Sequence, residues 1–184
     1  MPGDEIIIKR FVDLPCTERD TARAAIEEIC ARGARAPFSS ANDRRIFLHT
    51  WVGAYIDAAA EHVWIAWHAN DAAIVGYLVG AADPPDHAHG FTGQFHVSVF
   101  RDLWRDFPAH LHINVDATLR GMGIGARLVR AFLEALRSRQ IEGVHIVTVE
   151  GARNVTFYRR LGFTNEKQRD ALERRLLFMG HRLG

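Results

Sequence analysis

His110 to Ala126 reads HLHINVDATLRGMGIGA, and two periodicities meet within it. Leu111, Ile113 and Val115 alternate with His110, His112 and Asn114, the period-2 pattern of a strand, here predicted over 110–116. A short connection follows, and then Gly121, Gly123 and Gly125 stand at alternate positions. From Gly125 the period lengthens. Leu128, Val129, Phe132, Leu133 and Leu136 fall on one helical face, and Arg127, Arg130, Glu134 and Arg137 on the other, which predicts a helix over 125–139. The glycines therefore open a helix. At that end the first backbone N–H groups lack intrahelical partners, the macrodipole is positive, and the missing Cβ lets a ligand reach the main chain. A phosphate or pyrophosphate is the expected guest.

Gly121-x-Gly123-x-x-Ala126 also fits a relaxed dinucleotide fingerprint. That motif follows its strand almost directly and wants an acid about 20 residues on. Here Asp116 to Arg120 intervene, the acid ending the next strand is the more distant Glu150, and too little chain follows for a complete dinucleotide domain.

Arg120-x-x-Gly123-x-Gly125 instead resembles the coenzyme loop of the GNAT superfamily of N-acetyltransferases. Asn154-Val155-Thr156-Phe157-Tyr158-Arg159-Arg160-Leu161-Gly162-Phe163 resembles that family's second signature, in the family's order, one helix and one strand downstream. The resemblance implies an α/β GNAT fold over 1–184 as a single domain. Its mixed central sheet would have six or seven strands, with helices on both faces and a central βαβ coenzyme-binding unit. It implies acetyl-CoA as acetyl donor, with the loop Arg120, Gly121, Met122, Gly123, Ile124, Gly125 and Ala126 on the pyrophosphate. Ile113 and Val115 would pair with the pantetheine arm through their backbone, and Asn154 and Tyr158 would complete the coenzyme site. Pro108 to Ile113 ahead of this loop also resembles the acetyltransferase-like domain associated with O-GlcNAcase, some members of which look like pseudo-enzymes.

Composition sets wider bounds. The 184 residues suit one domain with a sizeable core, and 48% hydrophobic with 24% charged residues are ordinary globular values. A net charge of +1 argues against a nucleic-acid surface or an anionic membrane as partner. Cys16 and Cys30 make neither a disulfide framework nor a metal-ligand spacing, and no apolar run approaches membrane length, so a cytoplasmic protein is expected. No metal is expected, His87-x-His89 being unsupported by cysteines or clustered carboxylates. Oligomeric state, monomer or homodimer, stays open.

In chain order, Ile6 to Val12 reads as a strand, followed by a helix capped by Thr17 and ended by Gly33. Asn42 or Asp43 would cap a second helix carrying Ile46, Phe47, Trp51, Tyr55 and Ile56. Residues 63–68 and 73–80 form a hairpin. Residues 82–107, with Phe91, Phe95, Phe100, Trp104 and Phe107, are too aromatic for disorder, and part of this segment is expected to cover the acceptor site. A nearly continuous β-branched strand runs over 144–150 and a short helix over 153–161, ended by Gly162. Residues 163–167 and 174–182 would close the fold as a hairpin with a helical loop between them.

Moving an acetyl group from a thioester to an amine needs a held donor, a polarised carbonyl, a neutral nucleophile and a proton for the thiolate. Tyr158, a phenol, is the candidate acid, in the role the resemblance implies. His110-x-His112 puts two imidazoles on one strand face. The pair is similar to the His-x-His of arylalkylamine N-acetyltransferases, but one residue nearer the loop, and a one-residue offset turns a strand's side chains over. His112 is the candidate base; Asn114, Asp116, Glu150 or a water are the alternatives. The expected activity is direct transfer to a primary amine on a small molecule or protein. The alternative is a catalytically weak or inactive acetyl-CoA-binding module acting in recognition.

Overall fold

The computed structural model describes residues 6–34, 36–85, 98–171 and 173–184. Among these, seven strands and five α-helices alternate along the chain: β1 (Ile6–Arg10), α1 (Cys16–Arg32), α2 (Ala41–Leu48), α3 (Ala54–Ala58), β2 (Trp64–His68), β3 (Ala73–Ala81), β4 (Ala109–Val115), α4 (Ile124–Ser138), β5 (Gly143–Val149), α5 (Asn154–Arg160), β6 (Asn165–Ala171) and β7 (Arg174–Arg182). Backbone hydrogen bonds order one mixed sheet as β1-β2-β3-β4-β5-β7-β6. β4 runs parallel to β5, in the registers Ala109↔Val144 and His110↔His145, with α4 as the crossover, while β1-β2, β2-β3, β5-β7 and β6-β7 are antiparallel. This is the mixed sheet with helices that the resemblance implies. By its internal contacts the chain divides into two units, Met1–Gly80 with His112–Phe132, and Ala81–Leu111 with Leu133–Gly184.

In the first unit, α1 buries Ala22, Ile26, Ile29 and Cys30, a stripe at helical spacing. The sheet contributes Ile65, Tyr77 and Leu78, and the glycine-led helix Leu128, Val129 and Phe132, all nearly or fully buried. Each such aliphatic side chain stabilises the fold by roughly 1.5–3 kcal/mol through the apolar surface it withdraws from water. Helices α2 and α3 are joined by one π-helical turn, His49–Gly53, in which the Ala54 N–H donates to the His49 carbonyl five residues back.

In the second unit, Phe100, Phe107, Leu176 and Phe178 form a core cluster against which Val99, Leu103, Val147, Val149 and Ala171 pack. Arg169 fastens residues 98–103 by a fork of bonds to the Asp102 carboxylate (2.6 and 2.8 Å) and a third to the Val99 carbonyl (2.6 Å). Residues 98–107 of the aromatic segment therefore contribute to this core through Val99, Phe100, Leu103 and Phe107. Phe91, Phe95, His96 and the His87-x-His89 pair lie outside the described residues.

Four local expectations need correction. Helix α1 begins at Cys16 straight after Pro15, without a side-chain cap, which puts Thr17 inside its first turn. Ser40, not Asn42 or Asp43, caps α2: its Oγ accepts the Asp43 N–H at 3.1 Å. The first strand ends at Arg10 and gives way to a 3-10 turn, Phe11–Asp13. The last hairpin has no helical loop, because β6 runs on to Ala171 and pairs with β7 along its whole length, from Asn165↔Gly180 to Ala171↔Arg174.

Candidate active site

The glycine loop lies in the first unit. After β4, the Asp116 N–H donates to the Val75 carbonyl (2.8 Å), and its carboxylate accepts both the Thr118 N–H (3.0 Å) and the Thr118 hydroxyl (2.7 Å). That Asx turn leads through Ala117–Leu119 to Arg120, whose Nε donates to the Val115 carbonyl at 3.4 Å. Gly121 and Gly123 then adopt φ +84° and +78°, backbone that a side chain makes costly. A Cβ built at either would meet nothing within 4 Å, so conformation rather than packing demands glycine here, and the space beside the main chain is open. Helix α4 starts directly afterwards at Ile124. Its first turn, Ile124, Gly125 and Ala126, offers backbone N–H groups without intrahelical partners. The Ile124 side chain is buried, so only its main chain is free to serve a ligand. Met122 is exposed, and Ile113 and Val115 are half-buried on β4. Positive-φ glycines, open space, a helix N-terminus and Arg120 fit a pyrophosphate group.

His112 is in the same unit. Its Nε2 lies 3.1 Å from Tyr77 Oη and 3.3 Å from Asn114 Nδ2, and Asn114 Nδ2 donates to Tyr77 Oη at 3.0 Å. The ring rests 4.9 Å from that of Trp51 and 5.9 Å from that of Tyr77. Tyr77 is fully buried, which pushes its phenol well up, and the neighbouring Cys30 adds to the effect. Burial raises the Cys30 thiol to about 11. Both groups therefore keep their protons, and the cluster behind His112 is neutral. A Cβ on Gly33 at the end of α1 would come within 3.1 Å of Asn114 Nδ2, so that end closely backs the amide.

His110 has a different environment. It is buried in the second unit against His145, with ring centroids 5.9 Å apart. Desolvation, then His145, pushes its imidazole well below the ordinary histidine range. Of the two imidazoles on this strand face, His112 is the half-exposed one and His110 is a neutral core residue.

The remaining candidates divide similarly. Asn154 Oδ1 accepts the Thr148 hydroxyl at 3.1 Å at the start of α5. Tyr158, one turn on, is buried between the rings of Phe157 (5.1 Å) and Phe163 (5.3 Å), and burial raises its phenol so that it stays protonated. Both lie in the second unit. The Thr118 hydrogen bonds hold the Asp116 carboxylate below the usual range, which weakens it as a base. Glu150 is engaged by Gln168 Nε2 at 2.7 Å and by Arg175 at 3.8 Å. Among the described residues, no cluster of three or more His, Cys, Asp or Glu could hold a metal ion.

Of the polar partners of His112, Asn114 shares its alternating strand face in the sequence, whereas Tyr77 is not readable from it. Val75-Gly76-Tyr77 reads only as a strand, and its contact with β4 follows from sheet order, which local periodicity does not carry.

The model of the Acetyltransferase (GNAT) family matches residues 24–163, and the chain belongs to that family. The match covers the superfamily as a whole and does not single out the O-GlcNAcase-associated domain. No curated protein matches the chain in sequence. Among solved structures it is similar to SsHAT (21% identity, 98% of this chain and 99% of that one, TM-score 0.72). It is also similar to a chain of the NatC complex bound to Gag peptide and CoA (19%, 98% and 99%, 0.65). A Drosophila melanogaster polyamine N-acetyltransferase that catalyses formation of N-acetylagmatine is similar too (18%, 96% and 99%, 0.60). At these identities the likeness shows the fold. No helix among the described residues is long and apolar enough to cross a membrane.

Proposed function

We propose that this protein is an acetyl-CoA-dependent N-acetyltransferase that moves an acetyl group directly to a primary amine. The observation that carries the reading is the loop in which Gly121 and Gly123 hold positive φ, beside open space, at the start of α4. In a chain of this family, that geometry suits the pyrophosphate of the coenzyme.

Bound acetyl-CoA would supply an acyl group already activated as a thioester. Arg120, the main chain of 121–126 and Asn154 hold the coenzyme. Backbone groups at Ile113 and Val115 align its arm, and the Val115 N–H polarises the acetyl carbonyl. His112 takes the proton that the amine loses as its N–C bond forms, and Tyr158 returns a proton to the sulfur as the C–S bond breaks. Burial keeps the Tyr158 phenol protonated, so it holds the proton this role needs, although the same burial makes it a weaker acid. The reading places the protein in the cytoplasm and needs no metal.

Turnover measured as free thiol release tests the assignment. Tyr158→Phe should lower kcat by about 100-fold and leave acetyl-CoA affinity within about twofold, because a general acid acts only in the transition state. Unchanged kcat would remove Tyr158 from the chemistry.

A further inference from the structure

His112 is the inner end of a row of rings. Phe38 lies 5.2 Å from Phe47, Phe47 lies 6.2 Å from Trp51, and Trp51 lies 4.9 Å from His112. All four are half-buried, so each keeps part of its surface open to a ligand. Phe47 and Trp51 are one turn apart on the same helical face, and Trp51 sits within the π-helical turn His49–Gly53. Phe38 comes from the connection that precedes α2 and extends the row beyond the helix.

Among the described residues, four carboxylates of the helices that carry or adjoin the row already have partners. On α1 and α3, Glu27 and Asp57 both pair with Arg23, at 3.2 and 2.6 Å. Glu28 pairs with Arg44, and Asp43 accepts from the Ser39 hydroxyl. A polycation needs carboxylates to receive its second and third charges. Glu27, Glu28, Asp43 and Asp57 thus face arginine or serine, and the described ring contacts leading to His112 are aromatic.

We infer that the acceptor is a small arylalkylamine, whose flat apolar body lies along Phe38, Phe47 and Trp51 and whose primary amine reaches His112. Aromatic faces bind flat apolar groups through offset or tilted stacking, and burial of the body excludes water from the amine. This rests on the acetyl-transfer reading and adds the substrate class to it.

The test compares 2-phenylethylamine and tryptamine with spermidine and agmatine as acceptors of the wild-type protein, read by free thiol release, with acetyl-CoA affinity measured separately by calorimetry. The aryl amines should exceed the polyamines in kcat/KM by at least about 30-fold, within the range that apolar pocket contacts discriminate. Phe47→Ala and, independently, Phe38→Ala should each raise KM for the aryl amines about fivefold or more, with acetyl-CoA affinity unchanged. Acetyl-CoA binding with a preference for spermidine or agmatine, or with no amine turned over, overturns the inference and leaves coenzyme binding standing. Unchanged aryl-amine KM in both variants overturns the assigned wall. Loss of acetyl-CoA binding in the wild-type protein brings down the transfer reading itself.

Discussion

His112 Nε2 and Tyr77 Oη lie 3.1 Å apart, and the tyrosine is fully buried whereas the histidine is half-exposed. The imidazole that the proposed mechanism brings to the substrate is thus oriented from behind by a buried hydroxyl. Asn114 Nδ2 braces that hydroxyl at 3.0 Å. Tyr77→Phe keeps the ring and removes the oxygen. It should lower kcat about tenfold with acetyl-CoA affinity unchanged, as His112 loses its orientation. It should also cost about 1–3 kcal/mol of stability, since the Asn114 amide is left facing a carbon. Steady-state kinetics beside urea denaturation separates the effects; a stability loss with kcat intact would make Tyr77 purely structural.

Gly121→Ala and Gly123→Ala each force a Cβ into left-handed backbone, at a cost of roughly 1–2 kcal/mol. No packing clash adds to it, because nothing lies within 4 Å of either Cβ. Both variants should fold, and both should bind acetyl-CoA at least tenfold more weakly, since the loop must relax away from the conformation that presents its N–H groups. Wild-type affinity in either folded variant would make the glycines a structural turn.

His145 contributes a pH dependence of stability. Its Nδ1 lies 2.7 Å from the Phe107 carbonyl, and its ring stacks on Phe178 at 5.1 Å. Burial nevertheless depresses its pKa to about 4, against 6.5 unperturbed. The unfolded chain therefore binds this proton more readily than the folded one. Stability is fully present above pH 6.5 and falls as the pH drops from there to about 4, by about 3 kcal/mol at 1.36 kcal/mol per unit. His110, shifted in the same direction, adds to the loss. Urea midpoints should decline between pH 7 and 4.5; a flat profile would contradict the buried neutral pair.

The two cysteines should react very differently. Cys16 is exposed, whereas Cys30 is buried beside Tyr77 with its thiol raised to about 11. A disulfide reagent at pH 8 should label one thiol of the native protein quickly and the second only on unfolding. Two fast thiols would place Cys30 outside the core.

Much of this was legible because it is local. The change of period at Gly125 marked the start of α4 to within a residue, since a helix stripe and an alternating strand differ over a single turn. The features that escaped depend on distant chain. Tyr77 meets His112 only because β3 and β4 are neighbours in the sheet. Residues 165–171, Asn-Glu-Lys-Gln-Arg-Asp-Ala, have no apolar alternation, yet they form the outermost strand, held by backbone bonds to β7 with charged side chains at the edge. Ser40 took the cap position from Asn42 and Asp43 because α2 starts two residues earlier than its apolar spacing suggests. His110 and His112, identical in type and on one strand face, were separable only by what packs against each.

Calorimetric titration of the purified protein with acetyl-CoA and, separately, with NAD tests the coenzyme reading most directly. Saturable one-to-one binding of acetyl-CoA with no heat from NAD is the expected result. Binding of NAD, or no binding of acetyl-CoA, would contradict it and leave the loop from Arg120 to Ala126 as a connection between strand and helix.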